Sequence, residues 1–336
     1  MTVALAISVL PVFLFLGALM LLDSYKLTPL RAILLAVAAG VVAGAAGYLL
    51  NVWLQEALAL DMARYSIWVA PVVEESLKAI YIIWLFRLSR VGFVVDAAMY
   101  GFAVGTGFAF IENIWSLQVH PNPTIWTWIV RGFGTALMHS GTTAIFAMIA
   151  RTLQDRSPVF KPHLMLPGLA AAIVLHSLYN QFLVAPLLAT ALIVLVFPYV
   201  AMFLFKRSER ETRSWLGTGF DTDQELLRVM RAGEVSDTPV GGYLKGLRTN
   251  FPPEVIVDMM CLLRLRAELG IKAKGMLLMR EAGFEPDPDP SLPAKLEEMR
   301  YLERSIGRTG MLALKPFIHT STQDLWQLNL LDGTQR

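Results

Sequence analysis

Apolar runs of about bilayer length follow one another through the first 205 residues, divided by short polar connections. A hydrocarbon core of about 30 Å takes roughly 20 apolar residues as a helix. Seven stretches meet that length: 3–22, 32–50, 66–86, 93–117, 125–150, 164–184 and 187–205. The pattern therefore predicts seven spans. The first is expected to remain a span, because Lys26 and Arg31 follow it and no Ala-x-Ala-like cleavage site stands before Asp23. After Phe205 the pattern turns amphipathic. Thr222-x-x-Glu225 reads as a capping box, and stretches 253–269, 271–282 and 292–306 carry mixed apolar and charged faces. Breaks are expected at Gly241-Gly242, at Pro252-Pro253 and from Glu285 to Pro290. The predicted fold is all-α: a polytopic membrane helix bundle over residues 1–205, followed by a soluble helical domain over 206–336.

Composition sharpens this division. Of 336 residues 55% are hydrophobic and 17% charged, and 38 of the 56 charged side chains lie after Phe205. An ordinary soluble enzyme is excluded by that split. A net charge of +2 is too small for a nucleic-acid partner. The single cysteine, Cys261, leaves no intrachain disulfide framework. Positive residues on alternate connections divide eleven to one: Lys26, Arg31, Arg87, Arg90, Arg151, Arg156, Lys161, Lys206, Arg207, Arg210 and Arg213 against Arg64. Because positive loops stay in the cytoplasm, the N-terminus is expected outside and the C-terminal domain inside. Trp53, Trp68, Trp115, Trp126 and Trp128 then fall near the outer interface. Glycines four apart, Gly40 with Gly44 and Gly101 with Gly105, read as helix-packing positions.

Ionisable groups inside a bilayer are costly and call for a functional explanation. They are absent from trimmed spans one, two and seven, whereas spans three to six hold Glu74, Glu75, Lys78, Asp96, Glu112, Arg131, His139 and His176. Lys78 can reach either glutamate on the same helix side. Paired carboxylates suit acid–base work on a water molecule, and an interhelical ion-pair network explains them equally well. His176 and Asn180 share one face of span six. Asp96 reads as an interfacial residue, and Arg131 as a snorkelling cation at least as readily as a catalytic group. Counted along the helices at about 1.5 Å per residue, Glu74, Glu75 and His176 lie about 12 Å from the outer ends, Glu112 and Asn180 about 6–8 Å, and His139 about 20 Å. A polar pocket open to the outer side follows. A proton-coupled carrier and a non-proteolytic membrane scaffold are the other classes such a pocket serves.

Together, Glu74-Glu75-x-x-Lys78, the stretch from Asp96 to Tyr100-Gly101 with Gly105-x-Gly107-Phe108-Ala109-x-x-Glu112-Asn113, Arg131 with His139, and His176-x-x-x-Asn180 resemble the PrsW family of intramembrane proteases, relatives of the CAAX prenyl endopeptidases and Abi proteins. The resemblance covers residues 66 to about 184, and residues 206–336 have no counterpart in it. Ala97 stands where that family usually has glycine. The resemblance implies a peptidase of the bacterial cytoplasmic membrane. Its substrate would be a membrane-anchored protein, such as an anti-sigma factor, cut near the extracytoplasmic side. Glu74 and Glu75 match the diglutamate, His139 and His176 the motif histidines, and Glu112, Asn113 and Asn180 further polar positions.

Peptide hydrolysis needs a held water, a base and donors for the oxyanion. Glu75 or Glu74 is expected as base, His176 as orienter or acid, and Asn180 with His139 as oxyanion donors. Lys78, Glu112, Asn113 and Arg131 are expected to support them. Zinc on Glu75, His139 and His176 is the alternative form, and the metal-free one is slightly preferred. The region 206–336 is expected to bind a cytoplasmic regulator.

Overall fold

In the computed structural model of the protein, residues 2–119, 124–155, 160–232, 235, 238–287, 289–318 and 322–333 are described. Arg156, used above in the charge count, lies outside them. Every regular element among the described residues is helical. The chain divides into two compact units, Met1–Glu209 and Arg210–Arg336.

The first unit is a helical membrane bundle. Its elements are α1 (Thr2–Leu22), α2 (Leu30–Leu58), α3 (Met62–Trp68), α4 (Ala70–Arg87), α5 (Val94–Val119), α6 (Ile125–Ile129), a π-helical turn (Val130–Thr135), α7 (Ala136–Gln154), α8 (Leu166–Asn180) and the first part of α9 (Pro186–Ala232). Among the described residues, six stretches are long and apolar enough to cross a membrane. The one that falls short is α4. Its 18 residues include Glu74, Glu75, Lys78 and Arg87, and the expected run 66–86 is interrupted at Val69, between α3 and α4.

The centre of the bundle is α5, whose residues Val95 to Ala109 are almost all buried. Glycine lets its neighbours come that close. A Cβ on Gly40 of α2 would run into the Val104 carbonyl oxygen, and one on Gly105 into Ser140 Cα of α7. Without side chains there, backbones pack against each other directly. On the interfacial tryptophans the structure is mixed: Trp53, Trp68 and Trp126 are exposed along the bundle surface, and Trp128 is buried.

One end of α5 is fastened by Asp96. Its Oδ2 accepts the backbone N–H groups of Gly92 and Phe93, both at 3.0 Å, which satisfies donors at the helix start. Arg151 Nε donates to the Gly92 carbonyl at 3.0 Å. Asp96 is thus a cap, more than four turns along α5 from Glu112.

The second unit comprises the rest of α9 with α10 (Pro239–Leu247), α11 (Pro253–Glu281), α12 (Leu292–Leu314) and α13 (Thr322–Gly333). Its apolar core joins Leu262 and Leu269 of α11 to Leu296, Leu302 and Ile306 of α12, with Leu244 and Leu331. Three local expectations need correction. Thr222 and Glu225 lie inside α9 rather than at a helix start, and Glu225 pairs with Arg228 at 2.7 Å. Gly241-Gly242 falls inside α10, where the N-cap Thr238 and Pro239 start a helix two residues earlier. The stretches 253–269 and 271–282 form one helix, because Gly270 fits against Asp223 instead of ending it.

Candidate active site

Glu74 and Glu75 lie one turn inside α4, about 6–8 Å from its start, shallower than the unbroken run 66–86 implied. Glu75 Oε1 accepts three hydrogen bonds: from Lys78 Nζ at 2.6 Å, from His176 Nδ1 at 2.9 Å and from Thr142 Oγ1 at 3.1 Å. With a side chain only 1% exposed, Glu75 is held by α4, α7 and α8 at once. Among the described residues its Oε2 carries no hydrogen bond. Lys78 is fully buried, with Nζ 3.3 Å from His139 Nδ1 and 4.8 Å from the centre of the Phe108 ring.

Glu74 faces the same space from the next position. Its Oε2 is 3.8 Å from His176 Nε2, and its Oε1 accepts from Asn51 Nδ2 at 2.9 Å. Tyr65 on α3 donates in turn to Asn51 Oδ1 at 2.9 Å. The two histidine rings meet edge to face, 4.7 Å between centres.

The other histidine nitrogen contacts come from α5. Glu112 Oε2 is 2.5 Å from His139 Nε2, and Glu112 Oε1 is 2.9 Å from Arg131 Nη2. Arg131 Nε also donates to Asn113 Oδ1 at 3.0 Å, and Asn113 Nδ2 donates to the Ser8 carbonyl at 2.6 Å. Arg131 belongs to the π-helical turn, a feature often found at functional sites because the extra residue re-aims side chains. It is a paired residue of the cluster rather than a snorkelling one. His139 is level with Glu112 and Lys78 despite its greater count along the helix, since both side chains reach its ring.

Of the residues singled out from the sequence, Glu74, Glu75, Lys78, Glu112, Arg131, His139 and His176 form one connected cluster. Asn113 joins it through Arg131. Asn180 does not reach the carboxylates: its Nδ2 donates to the Ser66 carbonyl at 2.9 Å, and Ser177 Oγ donates to the Ile67 carbonyl at 2.7 Å, tying α8 to α3. Three participants were missed. Thr142 is one turn from His139 and could have been found by that spacing. Asn51 lies just past the stretch 32–50, and Tyr65 just before the stretch 66–86, in what looked like connecting chain.

One subset has the chemistry of a metal centre. Ligand atoms of Glu74, His139 and His176, on three different helices, all lie within 4.8 Å of one another. Two imidazoles and one carboxylate are a donor set that zinc takes with a position left open. Each histidine also has one ring nitrogen against a carboxylate, Glu75 for His176 and Glu112 for His139, as metal-binding histidines usually do. Counted as ionised, three carboxylates face two cationic side chains, an excess that favours a further cation. These residues fit a metal ion.

The model of the PrsW family intramembrane metalloproteases matches residues 28–205. The chain belongs to this family. It is an integral membrane protein of a protease family, and residues 206–336 lie beyond the matched region. No curated protein and no solved structure matches the chain. The match takes in the PrsW-like motifs on α4, α5, α7 and α8, and it also includes Asn51 and Tyr65.

Proposed function

We infer that the protein is an intramembrane endopeptidase that cuts a membrane-anchored protein, anti-sigma factors being the type of substrate in view. The observation that carries this reading is the convergence of Glu74, His139 and His176 beside a glutamate with one oxygen bound and one free. In this reading Glu74, His139 and His176 hold zinc, and the metal-free form preferred from the sequence alone is set aside. A zinc ion in such a site lowers the pKa of water and polarises a carbonyl.

The remaining work falls to the chain. Glu75 uses Oε1 to hold His176 and Lys78, and its Oε2 accepts the proton of the attacking water and returns it to the leaving amide nitrogen. Glu112 and Arg131 hold His139. Asn180 and Ser177 keep α3 against α8 at the edge of the site. The eleven-to-one division of positive residues supports an N-terminus outside, a pocket on the extracytoplasmic side of a bacterial cytoplasmic membrane, and a cytoplasmic region 206–336 suited to a regulatory partner.

The test combines metal analysis with membrane proteomics. Purified protein should contain one zinc per chain, and Glu74→Ala should lose it. Membranes carrying Glu75→Gln should accumulate an uncut anchored protein that wild-type membranes process. A wild-type protein active without any metal would remove zinc from the reading, and identical membrane proteomes would remove proteolysis.

A further inference from the structure

Glu74 is the one carboxylate of the cluster held from α2 and α3, and the chain of bonds that holds it has a fixed sense. A carboxylate can only accept, so Asn51 must turn its amide N–H toward Glu74 Oε1, at 2.9 Å. That leaves Asn51 Oδ1 facing Tyr65, whose hydroxyl donates to it at 2.9 Å. Tyr65 is 3% exposed, so its hydroxyl has little competing water. The effect is to bind Oε1 and leave Oε2 directed at His176 Nε2.

We propose that Asn51 and Tyr65 are positioning residues that orient the Glu74 carboxylate as a metal ligand. This rests on the reading of Glu74, His139 and His176 as a zinc site. Tyr65 acts only through Asn51, and Asn51 acts only through Glu74. The α3 helix thereby contributes to the site although neither it nor α2 carries a ligand.

The full chain, purified in detergent, is titrated with zinc against a chromogenic chelator, and its cobalt(II) form is examined by visible absorption. Removing a partner behind a metal ligand typically weakens binding about 10–100-fold. Asn51→Leu should fall in that range and shift the cobalt bands. Tyr65→Phe, which removes one oxygen and fills the same space, should weaken zinc by a smaller factor. The double variant should bind like Asn51→Leu alone, since the two residues act in series. Thr28→Ala, which removes a buried hydroxyl just before α2, at the opposite end of that helix from Asn51, should bind zinc and cobalt as the wild type does.

Wild-type affinity and spectra in both Asn51→Leu and Tyr65→Phe would overturn the proposal while leaving the zinc site standing. So would losses that multiply in the double variant, or a Thr28→Ala protein as weak as Asn51→Leu. A wild-type protein with no affinity for zinc or cobalt would bring down the zinc reading and this inference together. If Asn51→Leu does not fold, Tyr65→Phe against Thr28→Ala decides the matter.

Discussion

His176 Nδ1 lies 2.9 Å from Glu75 Oε1, an oxygen that also receives Lys78 and Thr142. The glutamate therefore has two separable duties, one oxygen holding neighbours and the other free for water. Glu75→Gln keeps an acceptor oxygen for His176 but no longer takes a proton. Its turnover should fall by about 10²–10⁴-fold, the range of a lost general base, with zinc retained. Glu75→Ala removes the hold on His176 as well, and zinc affinity should then drop by about 10–100-fold. Zinc titration of the two variants, beside the level of uncut substrate in membranes, separates these duties. Equal zinc loss in both would contradict the division.

Lys78 tests the energetic side of the same cluster. Its ammonium is fully buried and 2.6 Å from Glu75. Lys78→Met leaves that carboxylate without its cation, and breaking a buried pair from one side costs about 3–5 kcal/mol. His176 and Thr142 still donate to Glu75, so the lower end of that range is expected. The double variant Lys78→Met with Glu75→Gln removes both charges and should recover most of the loss. Denaturation of the purified variants reads this, and a double variant weaker than Lys78→Met alone would count against it.

How much of this was legible in the sequence depended on whether a signal was local. The spans at α1, α2, α5 and α7 follow from apolar length, and Glu74, Glu75 and His176 announce themselves because charge in a bilayer is costly. Their mutual distances were not readable. Depth counted along each helix assumes that all helices start in one plane, which misplaced His139 and, through the break at Val69, the diglutamate. Asn51 and Tyr65 escaped because neutral polar residues near span ends are ordinary, and their meaning comes only from the partner each reaches. In the second unit Gly241 and Gly242 looked like a break, and the stretches 253–269 and 271–282 were divided at Gly270, because glycine disfavours helices on its own. Tertiary packing against Asp223 at Gly270, and a good N-cap at Thr238, outweigh that preference.

Asp23, in the connection between α1 and α2, supplies a pH dependence away from the site. It is buried, and it accepts the backbone N–H groups of Leu27 at 2.8 Å and Thr28 at 3.4 Å. Burial pushes its carboxyl above the ordinary 3.8, the backbone donors offsetting only part of the rise. A raised native pKa means that folding favours the protonated acid. That stabilisation is complete below the unfolded value and is lost as pH climbs through the native one. Asp23→Asn keeps an oxygen for Leu27 and Thr28 without the charge. It should melt with the wild type at pH ~3 and above it at pH ~7, each 1 kcal/mol of difference being worth about 2–4 °C. A gap that widens on acidification would contradict the assignment.

Gly307 in α12 offers a sharper test of the second unit, because its backbone and its surroundings argue in opposite directions. Nothing lies within 4 Å of where a Cβ would be, so a methyl group meets no steric obstacle. Its φ of 70° and ψ of 173°, however, fall in a region essentially reserved for glycine. Alanine there must either strain the backbone, at about 1–3 kcal/mol, or straighten the kink and displace the helical turn that carries Gly310 and Leu314. Gly275 of α11 is equally open but has ordinary helical geometry, so Gly275→Ala should be neutral or stabilising by about 0.4–1 kcal/mol. Melting of the two variants side by side isolates conformation from packing. If Gly307→Ala matched Gly275→Ala, the kink would be a soft bend that α12 gives up freely rather than a fixed part of the fold.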